Sequence, residues 1–458
     1  MSWSTSPDFL TVCPGGLTLE ACFAGPALLK HMLAFEVALA AAQAELAMIP
    51  AASAAAIARA AEVEHFDLAA LVAATRDSVT PAIPVVRALC ALVAKEDAMA
   101  AGQVHLGATS QDVVDTALML AAREGLAALN AQARGVATLL SALIAAHRHS
   151  LMPARTLTQQ AGVTTFGVKA AGWLQGLTRA MQTLRAAAAQ LPLQFAGATG
   201  TLASYGDEGE ALKRALARRL ELRPVPPWHT ERGAVRELAA ALAGLAAAGG
   251  KIANDLLLLA QTEVGEVSEA ATPGRGGSSA LPHKRNPVAS IGALAAARRA
   301  PTALASVFGA FDHAHERAAG AWHVEMPALV ALFGAAGGVL EGLSRALDGL
   351  NVDTAAMQRN LAAGRELFLS EAVSMALAPQ LGRERAQALL AEACARVNEG
   401  TGTLGDLLRT MPAVSAVLSP TALAAALDPK RAQGSAEAVM DQALAAANAL
   451  FAMPQSPA

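Results

Sequence analysis

The sequence predicts an all-α protein built around long helices, on three observations. Ala, Leu, Glu, Arg and Gln, the better helix formers, dominate the 458 residues, and aromatic residues make up only 3%. Period-two alternation of β-branched and aromatic residues, the mark of half-buried strands, is nearly absent. Apolar residues recur at helical spacing over long stretches instead. The longest, 233–266, reaches about 50 Å at 1.5 Å rise per residue. That exceeds a single small domain and predicts a rod-like bundle shared between subunits.

The first periodic segment is 112–129, where Val113, Ala117, Leu120 and Ala121 share a face. Ahead of it, Thr109-x-x-Asp112 has the pattern of a capping box. The second and third segments are 166–191 and 233–266. Breaks fall at Pro81 and Pro84, at Pro153, across 192–209, across 224–227 and across 272–287. The last of these separates two helical patterns by far more chain than a connection needs, and such loops are usually functional or disordered.

Composition excludes several classes. Apolar residues are 54% and charged residues 16%, against roughly 25% charged in an average domain, so the chain has ample surface to bury and is not disordered. A net charge of −3 with no lysine-rich tail gives no footprint for nucleic acid. Cys13, Cys22, Cys90 and Cys394 have no C-x-x-C spacing. They read as reduced thiols, neither a disulfide frame nor a zinc site. The longest uncharged apolar runs, 238–250 and 326–340, fall short of the ~20 residues that span a bilayer. The first basic residue is Lys30, so no signal-peptide n-region is expected. A soluble cytoplasmic protein with no membrane partner is the expectation.

The most informative stretch is Gly276-Gly277-Ser278-Ser279-Ala280-Leu281-Pro282-His283-Lys284-Arg285-Asn286-Pro287. It combines a glycine arm, two hydroxyls, a cation and an amide. A Gly-rich nest of N–H groups and a lysine stabilise an alkoxide or enolate, and Lys284 with Asn286 suits a substrate carboxylate. Gly-Gly-Ser-Ser alone reads as a solvated linker, but that reading does not explain the Pro-His-Lys-Arg-Asn-Pro that follows. Thr109 and Ser110 open a helix, where free N–H groups favour an anion; from that segment alone, a simple N-cap is the better reading. Gln159 reads as a neutral donor for another carboxylate or as a buried structural amide. His283, His315 and His323 are candidates for proton transfer because imidazole titrates near neutrality. For Arg317, in His315-Glu316-Arg317, contact with an anionic substrate and a surface ion pair stand level. No histidine spacing suggests a metal site.

The 276–287 stretch resembles the signature loop of the fumarase/aspartase superfamily, G-S-S-x-M-P-x-K-x-N-P, with Leu281 at the Met place. Thr109-Ser110-Gln111-Asp112, Arg155-Thr156-Leu157-Thr158-Gln159-Gln160 and Gly197-Ala198-Thr199-Gly200-Thr201 resemble its other active-site segments, in order. The resemblance implies an all-α fold of three domains: a helical N-terminal domain over 1–108, a central long-helix bundle over 109–355, and a helical C-terminal domain over 356–458. It also implies a homotetramer whose active sites each draw on three chains.

Two departures narrow the reaction. Typical members carry a His where this chain has Leu157, and a partnering Glu where it has Ile291. Losing both is coherent, since losing one would strand a buried charge. A departing amine or hydroxide needs an acid; a carboxylate, whose conjugate acid has a pKa of roughly 4, does not. The branch of 3-carboxy-cis,cis-muconate cycloisomerases, which lactonises in protocatechuate breakdown, does without the pair. The chain resembles it in 105–113, 166–174, 227–230 and 315–323. The resemblance implies a cofactor-free addition or elimination on a polycarboxylate. Thr109, Ser110, Gln159, Lys284, Asn286 and Arg317 would bind substrate, with Ser278, or His283 or another histidine, at the proton. The alternatives are a lyase expelling another good leaving group, such as nitrosuccinate, with adenylosuccinate lyase behind it, or a non-catalytic helical scaffold.

Overall fold

The computed structural model describes residues 15–452. Cys13, one of the four thiols read from the sequence, lies outside them; Cys22, Cys90 and Cys394 are free. Five long helices form the centre: Ser110–Ala146, Phe166–Ala188, Gly233–Leu259, Val288–Gly309 and Ala321–Leu347. Val288–Gly309 packs against both Gly233–Leu259 and Ala321–Leu347, and Ser110–Ala146 packs against Phe166–Ala188. Small residues set the spacing. A Cβ on Gly342 would stand 2.8 Å from Ala293 Cβ, and one on Gly249 would stand 2.1 Å from Val339 Cγ1. The alanine and glycine of the sequence are thus used as close helix contacts. The Gly25–Glu45 helix buries Met32, Leu33 and Phe35 and lies along Ser110–Ala146.

Three features differ from the sequence reading. The third helix ends at Leu259, short of 266. Beyond it the chain turns through Gly265, whose φ is +59°, and buries Glu266 against Arg155 and Asn360, partners that lie off the helix axis. Residues 151–165 form a hairpin, Leu151–Thr156 with Gln159–Thr165, that period counting did not find. Its two turn residues, Leu157 and Thr158, have φ of +49° and +68°. That is the positive-φ pair a two-residue hairpin turn demands, normally met by Asn-Gly. Finally, Thr18–Glu45, Gly233–Leu259 and Ala321–Leu347 are each long and apolar enough to cross a membrane by length and composition alone, which corrects the estimate from uninterrupted runs. Isolated charges such as Lys251 and Asp255 break the runs without making the helix polar on average. The apolar side of Ala321–Leu347 is spent inside the bundle, on Leu329, Leu332, Phe333, Leu340 and Leu343.

Residues 369–427 build a second core around Leu377, Leu390, Leu408 and Val414. The last helix, Ala436–Ala452, returns to the main body and packs on Phe166–Ala188. Arg148 holds it through Glu437 at 2.9 Å and Asp441 at 2.6 Å.

Candidate active site

The N-terminal end of Ser110–Ala146 is organised by Asp112, one turn in and fully buried. Its carboxylate accepts the N–H of Thr109 at 3.1 Å, of Ala196 at 3.0 Å and of Gly197 at 3.0 Å, and His229 Nε2 lies 3.0 Å away. One side chain therefore closes the helix and pins the 196–201 turn beside it. Arg317 bridges the same two segments, donating to Thr109 Oγ1 at 2.7 Å and to the Ala198 carbonyl at 3.1 Å. Among the described residues the bonds of Arg317 go to the segment that the family resemblance marks.

Beneath lies an ionic network closed to solvent. Arg232 binds Asp115 at 2.7 and 3.0 Å and Glu325 at 3.1 Å, and its guanidinium sits 4.6 Å above the Trp228 ring. Trp322 Nε1 and Gln111 Nε2 donate to Asp115, and Gln111 also donates to the His229 carbonyl. Burial disfavours the Arg232 cation, but the two carboxylates more than offset it and hold its pKa above the ordinary value. Two carboxylates and several hydrogen bonds around one cation meet the condition under which a buried charge is tolerated.

The signature loop is held at its base and open at its tip. Asn286 N–H donates to the Gly276 carbonyl at 2.8 Å, closing a ring. Gly276 has φ +73°, and a Cβ there would meet Asn286 O at 2.6 Å, so only glycine fits. Glu269 accepts from Ser290 N and Oγ at 2.8 Å, from Ala289 N at 3.2 Å and from Arg275 at 2.9 Å. Arg275 also reaches the Arg345 carbonyl at 2.8 Å. Within the ring, Ser278 Oγ accepts from Leu281 N at 3.1 Å, so its own proton is free to be donated elsewhere. Ser279, His283 and Lys284 are exposed; Ser278 and Asn286 are half-buried.

Within one chain the predicted residues fall into three groups. Thr109, Ser110 and Arg317 meet at the Asp112 end. Gln159 is exposed beside the hairpin turn, where Leu157 is 95% exposed. Ser278, His283, Lys284 and Asn286 lie on the loop. Among the described residues no hydrogen bond or ion pair joins one group to another. His323 Nε2 donates to the Val79 carbonyl at 2.9 Å. Asp115, Arg232, Glu325 and Glu269 escaped sequence reading because their partners lie up to 207 residues away. Asp112 was visible there only as a capping residue.

The family model described as lyase matches residues 23–300, and that for the adenylosuccinate lyase C-terminus matches 366–443. The chain belongs to this lyase family, within the fumarase/aspartase superfamily. The 3-carboxy-cis,cis-muconate cycloisomerase of Bradyrhizobium diazoefficiens is 44% identical, covering 97% of this chain and 99% of that protein. The nitrosuccinate lyase of Streptomyces davaonensis is 41% identical, covering 97% of each. The crystal structure of the 3-carboxy-cis,cis-muconate lactonizing enzyme from Pseudomonas putida superposes with a TM-score of 0.88 at 39% identity, covering 95% of this chain and 98% of that one.

Proposed function

We propose that this chain is a cofactor-free 3-carboxy-cis,cis-muconate cycloisomerase of aromatic breakdown, acting as a cytoplasmic homotetramer. One observation carries the reading. The chain keeps Ser278, Lys284 and Asn286 while placing apolar, exposed Leu157 and Ile291 where an acid pair would stand, and its sequence follows cycloisomerases along nearly its whole length.

In this reading Thr109, Ser110 and Arg317 of one subunit, Gln159 of a second and the 276–287 loop of a third surround the tricarboxylate. Arg317 offers a planar fork to one carboxylate. The attacking carboxylate adds to the alkene, and charge develops on a conjugated enolate. Lys284, the Ser278 hydroxyl and loop N–H groups would stabilise that charge. A proton then reaches the neighbouring carbon. The separation of the three groups within one chain supports assembly between chains. So do the apolar side chains left exposed on the long helices, Leu258, Ile291, Phe308 and Val324.

A second reading, elimination of nitrite from nitrosuccinate, is favoured by the 41% identical relative. The test is an ultraviolet assay of the purified protein on 3-carboxy-cis,cis-muconate, following loss of the conjugated diene. Turnover of the muconate supports the first reading; no turnover together with nitrite release from nitrosuccinate hands the chain to the second.

A further inference from the structure

We infer that His105, backed by the buried carboxylate of Glu36, is the acid that delivers the proton to carbon. The inference rests on the proposed reaction, which requires one proton and leaves its donor unassigned. The Ser278 hydroxyl is a poor match, because an efficient general acid has a pKa near the working pH.

The geometry around His105 is built. Its Nδ1 lies 2.7 Å from Glu36 Oε1. Glu36 is 1% exposed, and its second oxygen has no protein partner. A lone buried carboxylate is costly unless paired, and the His105 ring is its partner. The other ring nitrogen, Nε2, has no protein partner among the described residues, and the ring keeps 18% of its surface open. One nitrogen is thus committed to an orienting carboxylate while the other remains available, the arrangement that fixes a histidine for proton transfer.

The backbone is constrained to hold it there. His105 has φ +58°, a left-handed conformation uncommon outside glycine that marks functional sites when the surroundings enforce it. The surroundings do enforce it. The Leu106 carbonyl accepts from Gln43 Nε2 at 2.9 Å and from the Tyr205 hydroxyl. Gly107 is pressed against the Tyr205 ring, with no room for a Cβ. Four residues on, Thr109 carries Arg317. His105 therefore borders the proposed carboxylate cradle, held by elements that otherwise have no part in the reaction.

The groups facing the dyad are Glu36, Asp112, the Tyr205 hydroxyl and the Cys90 thiol, which also feels Glu36. Burial pulls the imidazolium down, but the Glu36 hydrogen bond and charge and the Asp112 charge outweigh it, and His105 ends above the ordinary histidine value. In the step itself, a carboxylate oxygen forms the new C–O bond. The alkene π pair moves to the carbon beside a second carboxylate. His105 Nε2 gives its proton to that carbon, and the resulting neutral imidazole regains a proton from water. Substrate trianion plus one proton becomes lactone dianion.

The test compares His105→Gln and Glu36→Gln with wild type on whichever polycarboxylate the wild type turns over, with oligomeric state checked by size exclusion. Failure of the muconate as substrate then bears on the functional reading alone. For His105→Gln, kcat falls about 10²-fold or more, the usual share of general acid catalysis, KM changes little, and the basic limb of the pH profile disappears. For Glu36→Gln, the basic limb moves to lower pH, with activity recovering in acid. A His105→Gln enzyme within about threefold of wild-type kcat, or a Glu36→Gln profile whose basic limb does not move, overturns the assignment.

Discussion

The Asp112 end of Ser110–Ala146 and the 276–287 loop are both read as substrate-binding, yet they are built in opposite ways. At the helix end, polar side chains are buried and bind residues far away in sequence: Asp112 to Ala196, Gly197 and His229, and Arg232 to Asp115 and Glu325. On the loop, the bonds are local, Ser278 to Leu281 and Gly276 to Asn286, and Ser279, His283 and Lys284 face solvent. In the proposed reading the rigid cradle would fix where carboxylates sit, and the loop, anchored at its base by Glu269 and Arg275, would bring the cation and hydroxyl to them. In that reading preorganisation is concentrated where charge would be bound, and exposure where substrate would enter.

Substitutions on the two sides sharpen this contrast. The largest loss is expected from the loop: Ser278→Ala lowers kcat by about 10³-fold in a steady-state assay while the oligomer and its melting temperature stay unchanged. In the cradle the damage goes into folding instead. Arg232→Ala strands two buried carboxylates and costs about 3–5 kcal/mol, read as a lowered urea midpoint. Glu269→Gln weakens the hinge without touching substrate, and about a tenfold fall in kcat is expected from a slightly misplaced loop, with faster proteolytic nicking within 276–287. The smallest effect is on pH. The folded state raises the His105 pKa, so its contribution to stability is full below the ordinary histidine value and fades as pH rises through the raised one. Urea midpoints measured from pH 6 upward should show that decline in wild type and lose it in His105→Gln.

The sequence showed the loop more clearly than the cradle, for the same physical reason that separates them. Local patterns carry local chemistry: Gly276 through Pro287 announced itself by composition, and Thr109-x-x-Asp112 by spacing. The helical class followed from residue preference and period. The hairpin escaped because its strands, carrying Pro153 and Gly162, show no regular alternation, and because its turn uses Leu157 and Thr158 rather than Asn-Gly. Glu36 and His105, 69 residues apart, and the Arg232 network depend on tertiary proximity that no local pattern records. The bonds of Arg317 to Thr109 and Ala198 likewise span more than a hundred residues and leave no local mark.

The central claim is that cradle and loop meet over the substrate between different subunits, and subunit complementation tests it most directly. Ser278→Ala and Arg317→Met chains, each inactive alone, are unfolded, mixed in equal amounts and refolded together. Random pairing predicts recovery to about a quarter of wild-type turnover, because one site in four then combines an intact loop with an intact cradle. Mixed tetramers, demonstrated by differential tagging, that remain as inactive as either parent would place both groups on one chain and contradict the account.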